Sequence, residues 1–191
     1  TTMTDLRSGS ADSENAPSRT EATLAVARRQ RWWVSLEKEQ LIFSAAHFIT
    51  FAGDVCERIH GHNYRVRCEI AGPLDENRYV IDFILLRDAL LELTRQLDHH
   101  VLLPADHPEI RVVDDGREVT ATFRERRWVF PSEDAVILPV ANTTAELIAG
   151  WLAERLLEKL AQRGAARPSA LRIGVDENEG QWGIVELEFD A

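Results

Sequence analysis

The apolar and polar positions of the chain follow two different periods. Between residues 63 and 71, apolar and charged residues alternate, which predicts a strand with one buried face. The segment 33–47 reads as another strand, and Gly53 begins the loop that joins the two. The side chains expected on the buried face of the 63–71 strand are Tyr64, Val66, Cys68 and Ile70.

Two longer segments repeat their apolar residues every three or four positions, which is typical of amphipathic helices. The first predicted helix spans residues 83–97, with Asp82 as its N-cap. The second follows Asn142 and ends at Gly164. The tetrapeptide 143–146, Thr-Thr-Ala-Glu, fits a capping box. Capping alone explains the glutamate of this box, so no catalytic role is predicted for it.

Strands at 170–175 and 183–189 close the chain, and an insertion at about 104–139 separates the two predicted helices. The insertion holds an Asp-Gly turn signal at position 115, which favours a hairpin. The predicted order is therefore β-β-α, then hairpins, then α-β-β, an α+β arrangement. The strand pairs expected in the insertion are 110–114 with 118–123, and 127–130 with 135–138.

Length and composition limit the domain count and the class of partner. A chain of 191 residues is long enough for one good hydrophobic core, so residues 31–191 are predicted to form a single domain. Residues 1–30 are polar and are predicted to be a disordered tail, with a short helix near 24–29. The net charge of -10 argues against nucleic-acid binding, which usually needs a basic face.

The sequence offers no signal for a membrane or an oxidising compartment. No apolar stretch approaches transmembrane length, and the first residues lack the apolar core of a signal peptide. Two cysteines, at positions 56 and 68, do not suggest a disulfide framework. We therefore expect a cytoplasmic protein without a membrane partner.

Candidate chemistry is concentrated in one part of the chain, where four of the six histidines lie between residues 47 and 99. His60 and His62 are two residues apart on a strand, so their imidazoles share a face. His47, on the neighbouring strand, would supply a third ring. Three neutral nitrogens with an open fourth position describe a catalytic zinc site.

Two further groups near these histidines have alternative interpretations. Cys56 lies in a polar loop close to Arg58, where a thiolate would be stabilised beside a metal. It could instead be a fourth zinc ligand, which would close the site. Asp98 and His99 end the first helix, either as a favourable C-terminus or as a carboxylate that orients a proton-transferring imidazole for Cys56. His100 and His107 are expected to be ordinary surface residues.

Glu177 closes a strand within a very acidic patch. A carboxylate at a strand end can accept two parallel hydrogen bonds from the edge of a heterocycle. The alternative is a solvated turn, and Glu179 is a nearby competitor for any binding role.

Taken in order, these motifs resemble the 6-pyruvoyl-tetrahydropterin synthase / 6-carboxytetrahydropterin synthase family. The resemblance covers about residues 34–103 and 140–189, and the tail and the insertion fall outside it. The matching motifs are Phe-Ser-Ala-Ala-His at 43–47, Cys-x-x-x-His-Gly-His-Asn-Tyr at 56–64, Val-Ile-Asp-Phe at 80–83, Leu-Asp-His at 97–99, Thr-Thr-Ala-Glu at 143–146 and Val-Asp-Glu at 175–177.

The resemblance implies the tunnelling fold (T-fold), a four-stranded antiparallel sheet with two helices on one face, here with inserted β-hairpins. It also implies a homo-oligomer, commonly a hexamer of two stacked trimers, with active sites at subunit interfaces. The implied site consists of Zn²⁺ on His47, His60 and His62, Cys56 as general base, Asp98 and His99 as its proton-relay partners, and Glu177 and Thr144 as substrate-binding residues.

The implied substrate is 7,8-dihydroneopterin triphosphate, and no redox cofactor is implied. The short Cys-x-x-x-His spacing resembles the bacterial lyases that form 6-carboxy-5,6,7,8-tetrahydropterin, a queuosine precursor. The alternatives are the 6-pyruvoyl product and a non-catalytic pterin- or zinc-binding homologue. Asn178 follows Glu177 where the family usually has threonine, which leaves the substrate identity more open than the zinc site.

Overall fold

The computed structural model describes residues 30–53 and 55–190. The predicted tail and its short helix fall on residues 1–29 and so lie outside the described part. In chain order the strands are β1 (Trp32–His47), β2 (Thr50–Phe51), β3 (Val55–Cys56), β4 (His60–Gly72), β5 (His100–Pro104), β6 (Arg111–Asp114), β7 (Glu118–Phe123), β8 (Arg126–Pro131), β9 (Ala135–Leu138), β10 (Ala170–Asn178) and β11 (Gln181–Glu188), and the helices are α1 (Phe83–Leu97) and α2 (Ala145–Gln162).

The main sheet has six strands in the order β11-β10-β4-β1-β5-β9. Its first four strands are antiparallel neighbours, which confirms the predicted four-stranded sheet. β5 and β9 extend this sheet with parallel pairings. The predicted pairing of 127–130 with 135–138 is therefore wrong. β8 pairs with β7, and β9 pairs with β5 instead. The last three residues of β5 are buried, so the apolar side chains of β9 are partly removed from solvent when the two strands pair.

Both helices cover one face of the sheet and bury its alternate side chains. The predicted inward residues of β4 are all fully or almost fully buried, as are the leucines that α1 and α2 direct toward them. Each such aliphatic side chain contributes about 1.5–3 kcal/mol through burial. In the described part of the chain, neither helix is long and apolar enough to cross a membrane.

The helix starts show one confirmed cap and one wrong one. Asp82 caps α1, accepting hydrogen bonds from the backbone N–H groups of Ile84 and Leu85. α2 is capped by Thr144, so the predicted capping box is displaced by one residue. The hydroxyl of Thr143 instead donates 3.1 Å to the carbonyl of Phe48, the residue after β1.

The insertion forms a small sheet of its own with the order β6-β7-β8. The predicted hairpin of 110–114 with 118–123 is confirmed in β6 and β7, with Gly116 at a positive φ in the turn. This sheet shares a second apolar cluster with the residues that follow β1 and lie in β5, and it therefore packs beside the end of β1. The buried members of that cluster are Phe48, Leu103, Ile110, Val119, Ala121 and Phe123.

Candidate metal centre

The adjacent ends of β1 and β4 bring the three predicted histidines together. His47 lies directly opposite His60 in the antiparallel register, and His62 follows on the same face of β4. The ring centroids are 4.7 Å apart for His47 and His60, 5.3 Å for His47 and His62, and 4.9 Å for His60 and His62. The alternation of β4 and the register of β1 thus build one imidazole cluster.

Glu177 joins this cluster from β10. Its Oε1 lies 3.0 Å from Nε2 of His47 and 3.6 Å from Nε2 of His62. One ligand atom from each of the three histidines and Glu177 lies within 4.8 Å of the others, so this group could hold a metal ion. Glu179, the other candidate for a binding role in the sequence, is exposed and lies outside this group.

A β-bulge directs Glu177 to the histidines. The register of β10 with β11 shifts between Asp176 and Asn178, and Glu177 occupies the shift. The preceding Asp176 is buried and held by Arg65, whose Nη2 donates to it at 2.6 Å. The backbone N–H groups of Gly180 and Gln181 also donate to Asp176, so this carboxylate fixes the turn while Glu177 projects on the opposite face.

Backbone carbonyls set the tautomers of two histidines. Nδ1 of His47 lies 2.7 Å from the carbonyl of Thr143, and Nδ1 of His60 lies 2.9 Å from the carbonyl of Arg58. Because a carbonyl only accepts, each Nδ1 carries the proton and donates. Nε2 of a neutral ring then keeps its lone pair, which is the arrangement that metal-binding histidines need.

The centre contains buried polar atoms that no protein group satisfies. Nε2 of His47, Nε2 of His62 and the hydroxyl of Tyr64 have no hydrogen-bond partner in the described residues. Each such atom costs about 1–3 kcal/mol. The lone pair of His47 Nε2 also faces the Glu177 carboxylate at 3.0 Å, a contact that a cation would stabilise. These residues therefore fit a metal.

The ionisation of the site agrees with this fit. Burial lowers the pKa of His62, with the neighbouring imidazoles adding to it and Glu177 opposing it. A positive charge at Nε2 of His47, whether a proton or a metal ion, would lower the pKa of Glu177, which lies 3.0 Å away. At neutral pH the group thus combines a neutral imidazole at His62 with an ionised carboxylate, the forms that coordinate metal.

Cys56 lies on β3, opposite Thr50, outside the four-residue group. Burial raises the pKa of its thiol, and the positive charge of Arg126 opposes that rise. The sequence interpretation assigned this charge to Arg58, but the cation acting on the thiol comes from β8. In the alternative of a closed zinc site, Cys56 would be the fourth ligand, but the residue that lies beside the three histidines is Glu177.

Asp98 and His99 follow α1 at the edge of β1. Asp98 accepts a 2.8 Å hydrogen bond from the backbone N–H of Ser44, which lowers the pKa of its carboxyl group, and its other oxygen lies 3.0 Å from Nδ1 of His99. The side chain of His99 is 83% exposed and its φ is 61°. Among the described residues, no hydrogen bond joins His99 to Cys56 within one protomer.

His107 is not the ordinary surface residue that the sequence suggested. Its Nδ1 accepts from the backbone N–H groups of Glu109 and Ile110, at 3.0 and 2.9 Å. Its Nε2 therefore carries the proton and donates 2.7 Å to the hydroxyl of Thr50. His107 joins the insertion to the strand that faces Cys56. No sequence motif indicates this role.

Comparisons with known proteins agree with the geometry. A family model described as 6-pyruvoyl tetrahydropterin synthase matches residues 36–188. A putative 6-carboxy-5,6,7,8-tetrahydropterin synthase from Methanocaldococcus jannaschii is 29% identical, over 74% of this chain and 86% of that protein. A protein of the same description from Pyrococcus horikoshii is 31% identical, over 70% of this chain and 76% of its own.

Solved structures show the same likeness. The 6-pyruvoyl tetrahydropterin synthase of Plasmodium falciparum superposes with a TM-score of 0.77 at 27% identity, over 84% of this chain and 100% of that one. A Plasmodium vivax 6-pyruvoyltetrahydropterin synthase gives a TM-score of 0.76 with the same identity and coverage. The latter is a variant in which a glutamate described as a catalytic residue is replaced by alanine.

Proposed function

Since the chain belongs to the 6-pyruvoyl tetrahydropterin synthase family, we propose that it is a lyase that converts 7,8-dihydroneopterin triphosphate to 6-carboxy-5,6,7,8-tetrahydropterin. The observation that carries this proposal is the cluster of His47, His60, His62 and Glu177, which combines a metal site with a carboxylate. The names of the archaeal relatives support the carboxy product.

The three histidines would hold Zn²⁺, the ion that favours neutral imidazole ligands in an open site. A bound Zn²⁺ supplies Lewis acidity, which polarises oxygen atoms of a substrate and makes neighbouring C–H bonds more acidic. Glu177 is 29% exposed, so its carboxylate can accept two N–H groups from a pterin edge. A ring anchored there would direct its side chain toward the histidines. Thr144 lies near the same site as the cap of α2, with its backbone next to the carbonyl that binds His47.

In this mechanism Cys56 removes a carbon-bound proton from the substrate side chain. Asp98 orients the ring of His99, which returns protons during tautomerisation. Triphosphate leaves with its bonding electron pair, and the 6-pyruvoyl compound results. Addition of water and loss of acetaldehyde then yields the 6-carboxy product, without any net oxidation.

In the described residues of one protomer, no hydrogen bond joins Cys56 to His99, which supports a site shared between protomers. His99 is exposed, and its nearest described partner is its neighbour Asp98. We therefore infer a homo-oligomer, a hexamer of two stacked trimers, in which His99 of one protomer serves Cys56 of another. The cytoplasmic location remains a prediction of the sequence.

One other reaction keeps specific support, whereas a non-catalytic role does not. The solved structures carry the 6-pyruvoyl name, which favours elimination alone as the alternative reaction. A non-catalytic pterin- or zinc-binding protein would need neither Cys56 nor the Asp98–His99 pair, so the presence of these groups argues for an enzyme.

The decisive experiment incubates zinc-loaded protein with 7,8-dihydroneopterin triphosphate and identifies the products by mass. We expect 6-carboxy-5,6,7,8-tetrahydropterin with equimolar acetaldehyde and triphosphate. A 6-pyruvoyl product without acetaldehyde would establish the alternative reaction. Binding of the substrate without release of triphosphate would show a non-catalytic protein.

A further inference from the structure

We propose that Arg126, from the insertion, is a positioning residue that holds Cys56 in place for proton abstraction. The proposal rests on the function assigned to Cys56 above. It gives the 104–139 insertion a role that its sequence does not indicate. Four independent contacts carry it.

The first two contacts are hydrogen bonds to the backbone around the thiol. Nη1 of Arg126 donates 2.5 Å to the carbonyl of Cys56, and Nη2 donates 2.9 Å to the carbonyl of Glu57. The two nitrogens belong to one rigid, planar group, so they fix two consecutive peptide planes relative to each other. The direction of the Cys56 side chain depends on these planes.

The carbonyl of Glu57 also lies next to the thiol itself. Sγ of Cys56 donates to this oxygen at 3.7 Å, so the thiol and Arg126 share one acceptor. When the thiol loses its proton, that hydrogen bond is lost while the guanidinium stays beside the sulfur. The positive charge of Arg126 stabilises the thiolate, whereas burial and the negative charge of Glu57 destabilise it.

The third contact fixes Arg126 itself. Its guanidinium lies over the ring of Trp128, 4.6 Å from the centroid. Such a cation–π contact orients the plane of the charged group. Both residues belong to β8, whose pairing with β7 holds them in register.

The fourth contact joins this unit to the metal centre. Trp128 stacks on Phe48 with centroids 4.3 Å apart and an interplanar angle of 17°. Phe48 is fully buried and directly follows His47 in the chain. Arg126 therefore places Cys56 relative to a residue that is fixed beside a metal histidine.

The test compares three variants of the full chain. Arg126→Met removes both hydrogen bonds and the charge, and Arg126→Lys keeps the charge with a single donor site. Arg124→Met is the matched control, because Arg124 lies on the same hairpin but pairs with the exposed Glu109. Each variant is measured for kcat, KM, zinc content and the pH profile of Cys56 alkylation by iodoacetamide. Cys68, the other cysteine, is fully buried and does not interfere.

For Arg126→Met we expect a fall in kcat of about 10- to 100-fold with little change in KM, as for a misplaced catalytic group. The alkylation midpoint should move to higher pH while the zinc content stays at the wild-type level. Arg126→Lys should restore most of the midpoint and only part of kcat. Arg124→Met should match the wild type in every measurement.

Two outcomes would overturn the proposal. One is a wild-type kcat and midpoint in Arg126→Met, and the other is an equal loss in Arg124→Met. If Arg126→Met fails to fold, Arg126→Lys still decides, because an unchanged kcat with one donor lost would refute two-point positioning. If the wild type itself does not turn over the pterin, the proposed function fails, but the alkylation midpoints still test whether Arg126 controls the thiol.

Discussion

At the scale of single residues, the position of one proton on each ring decides whether the histidines can bind a metal. The carbonyls of Thr143 and Arg58 hold that proton on Nδ1 of His47 and His60. Neither carbonyl belongs to a regular helix or strand. The carbonyl groups that orient the metal-binding rings thus lie just outside the ends of helices and strands.

The assignment of Cys56 as the base can be tested against its neighbour. Cys56→Ala should abolish turnover, a loss of at least about 100-fold for a missing general base, and leave about one zinc per protomer. Glu57→Gln should retain most activity, since Glu57 lies 3.9 Å from Nε2 of His60 and is not the proposed base. The measurements are steady-state kinetics and metal analysis by mass spectrometry. The reverse pattern would transfer the role to Glu57, and loss of zinc with the thiol would make Cys56 a ligand.

His107 predicts a pH dependence of stability. Burial lowers its pKa below the ordinary value of about 6.5. The native state therefore binds fewer protons than the unfolded state, and the free energy of unfolding falls as the pH drops through about 6.5 toward the native pKa. His107→Asn keeps an acceptor for the two backbone N–H groups and does not titrate. Urea unfolding at pH 7.5 and 5.5 should show a smaller loss for this variant than for the wild type.

His107→Ala tests the role of the ring as a hydrogen-bond acceptor separately from its titration. It removes the partner of the N–H groups of Glu109 and Ile110, and should cost about 1–3 kcal/mol at pH 7.5. Equal pH dependence in the wild type and His107→Asn would show that other groups titrate instead.

The sequence predicted the parts of the site that follow from strand geometry. The period of two placed His60 and His62 on one face, and an adjacent strand supplied His47. Glu177 was expected to bind a heterocycle, but its place among the histidines depends on a bulge that has no local signature. Arg126 contacts a residue 70 positions earlier in the chain, and no pattern within either segment reports such a contact.

At the scale of elements, the start of α2 rests directly on β11. A Cβ atom added at Gly183 would lie 2.5 Å from the backbone nitrogen of Glu146 and 2.7 Å from the Cβ of Ala145. Only a glycine allows the helix to approach the strand this closely. The approach keeps the Thr143 carbonyl within reach of His47.

Gly183→Ala should therefore destabilise the protein by about 1–3 kcal/mol, because backbone atoms must shift. Gly150→Ala is the control, since it lies inside α2 with open space around the added atom. Higher helix propensity should make that variant more stable by about 0.5–1 kcal/mol. Chemical denaturation of both variants checks the opposite signs. Equal effects would mean that the close approach at Gly183 does not limit the position of α2.

Elements were predicted well where the signal is local. Asp82 and the apolar period identified α1, and the Asp-Gly turn identified the first hairpin. β5 and β9 were assigned no place in the main sheet, because a parallel pairing depends on distant segments rather than on a turn between them. The displaced cap of α2 has the same origin, because the hydroxyl of Thr143 is directed to the carbonyl of Phe48, a residue far earlier in the chain.

At the scale of the whole molecule, the proposal that protomers share active sites can be tested through the exposed His99 and the partly buried Cys56. Cys56→Ala and His99→Ala should each be inactive as pure proteins. Mixed under conditions that allow subunit exchange, they should regain activity, because some sites then combine an intact Cys56 with an intact His99. Turnover of the mixture, compared with each variant alone, is the measurement. No recovery after exchange verified by mass spectrometry would place both groups in one protomer.

The meeting of His47, His60, His62 and Glu177 has a mechanical consequence as well. They come from β1, β4 and β10, strands that lie near opposite ends of the described chain. A Zn²⁺ ion held by the three histidines would join β1 to β4 beside Glu177 on β10, and it would stabilise the native state because it binds the folded chain in preference to the unfolded one. Removal of the ion by a chelator would then destabilise the main sheet at the metal centre.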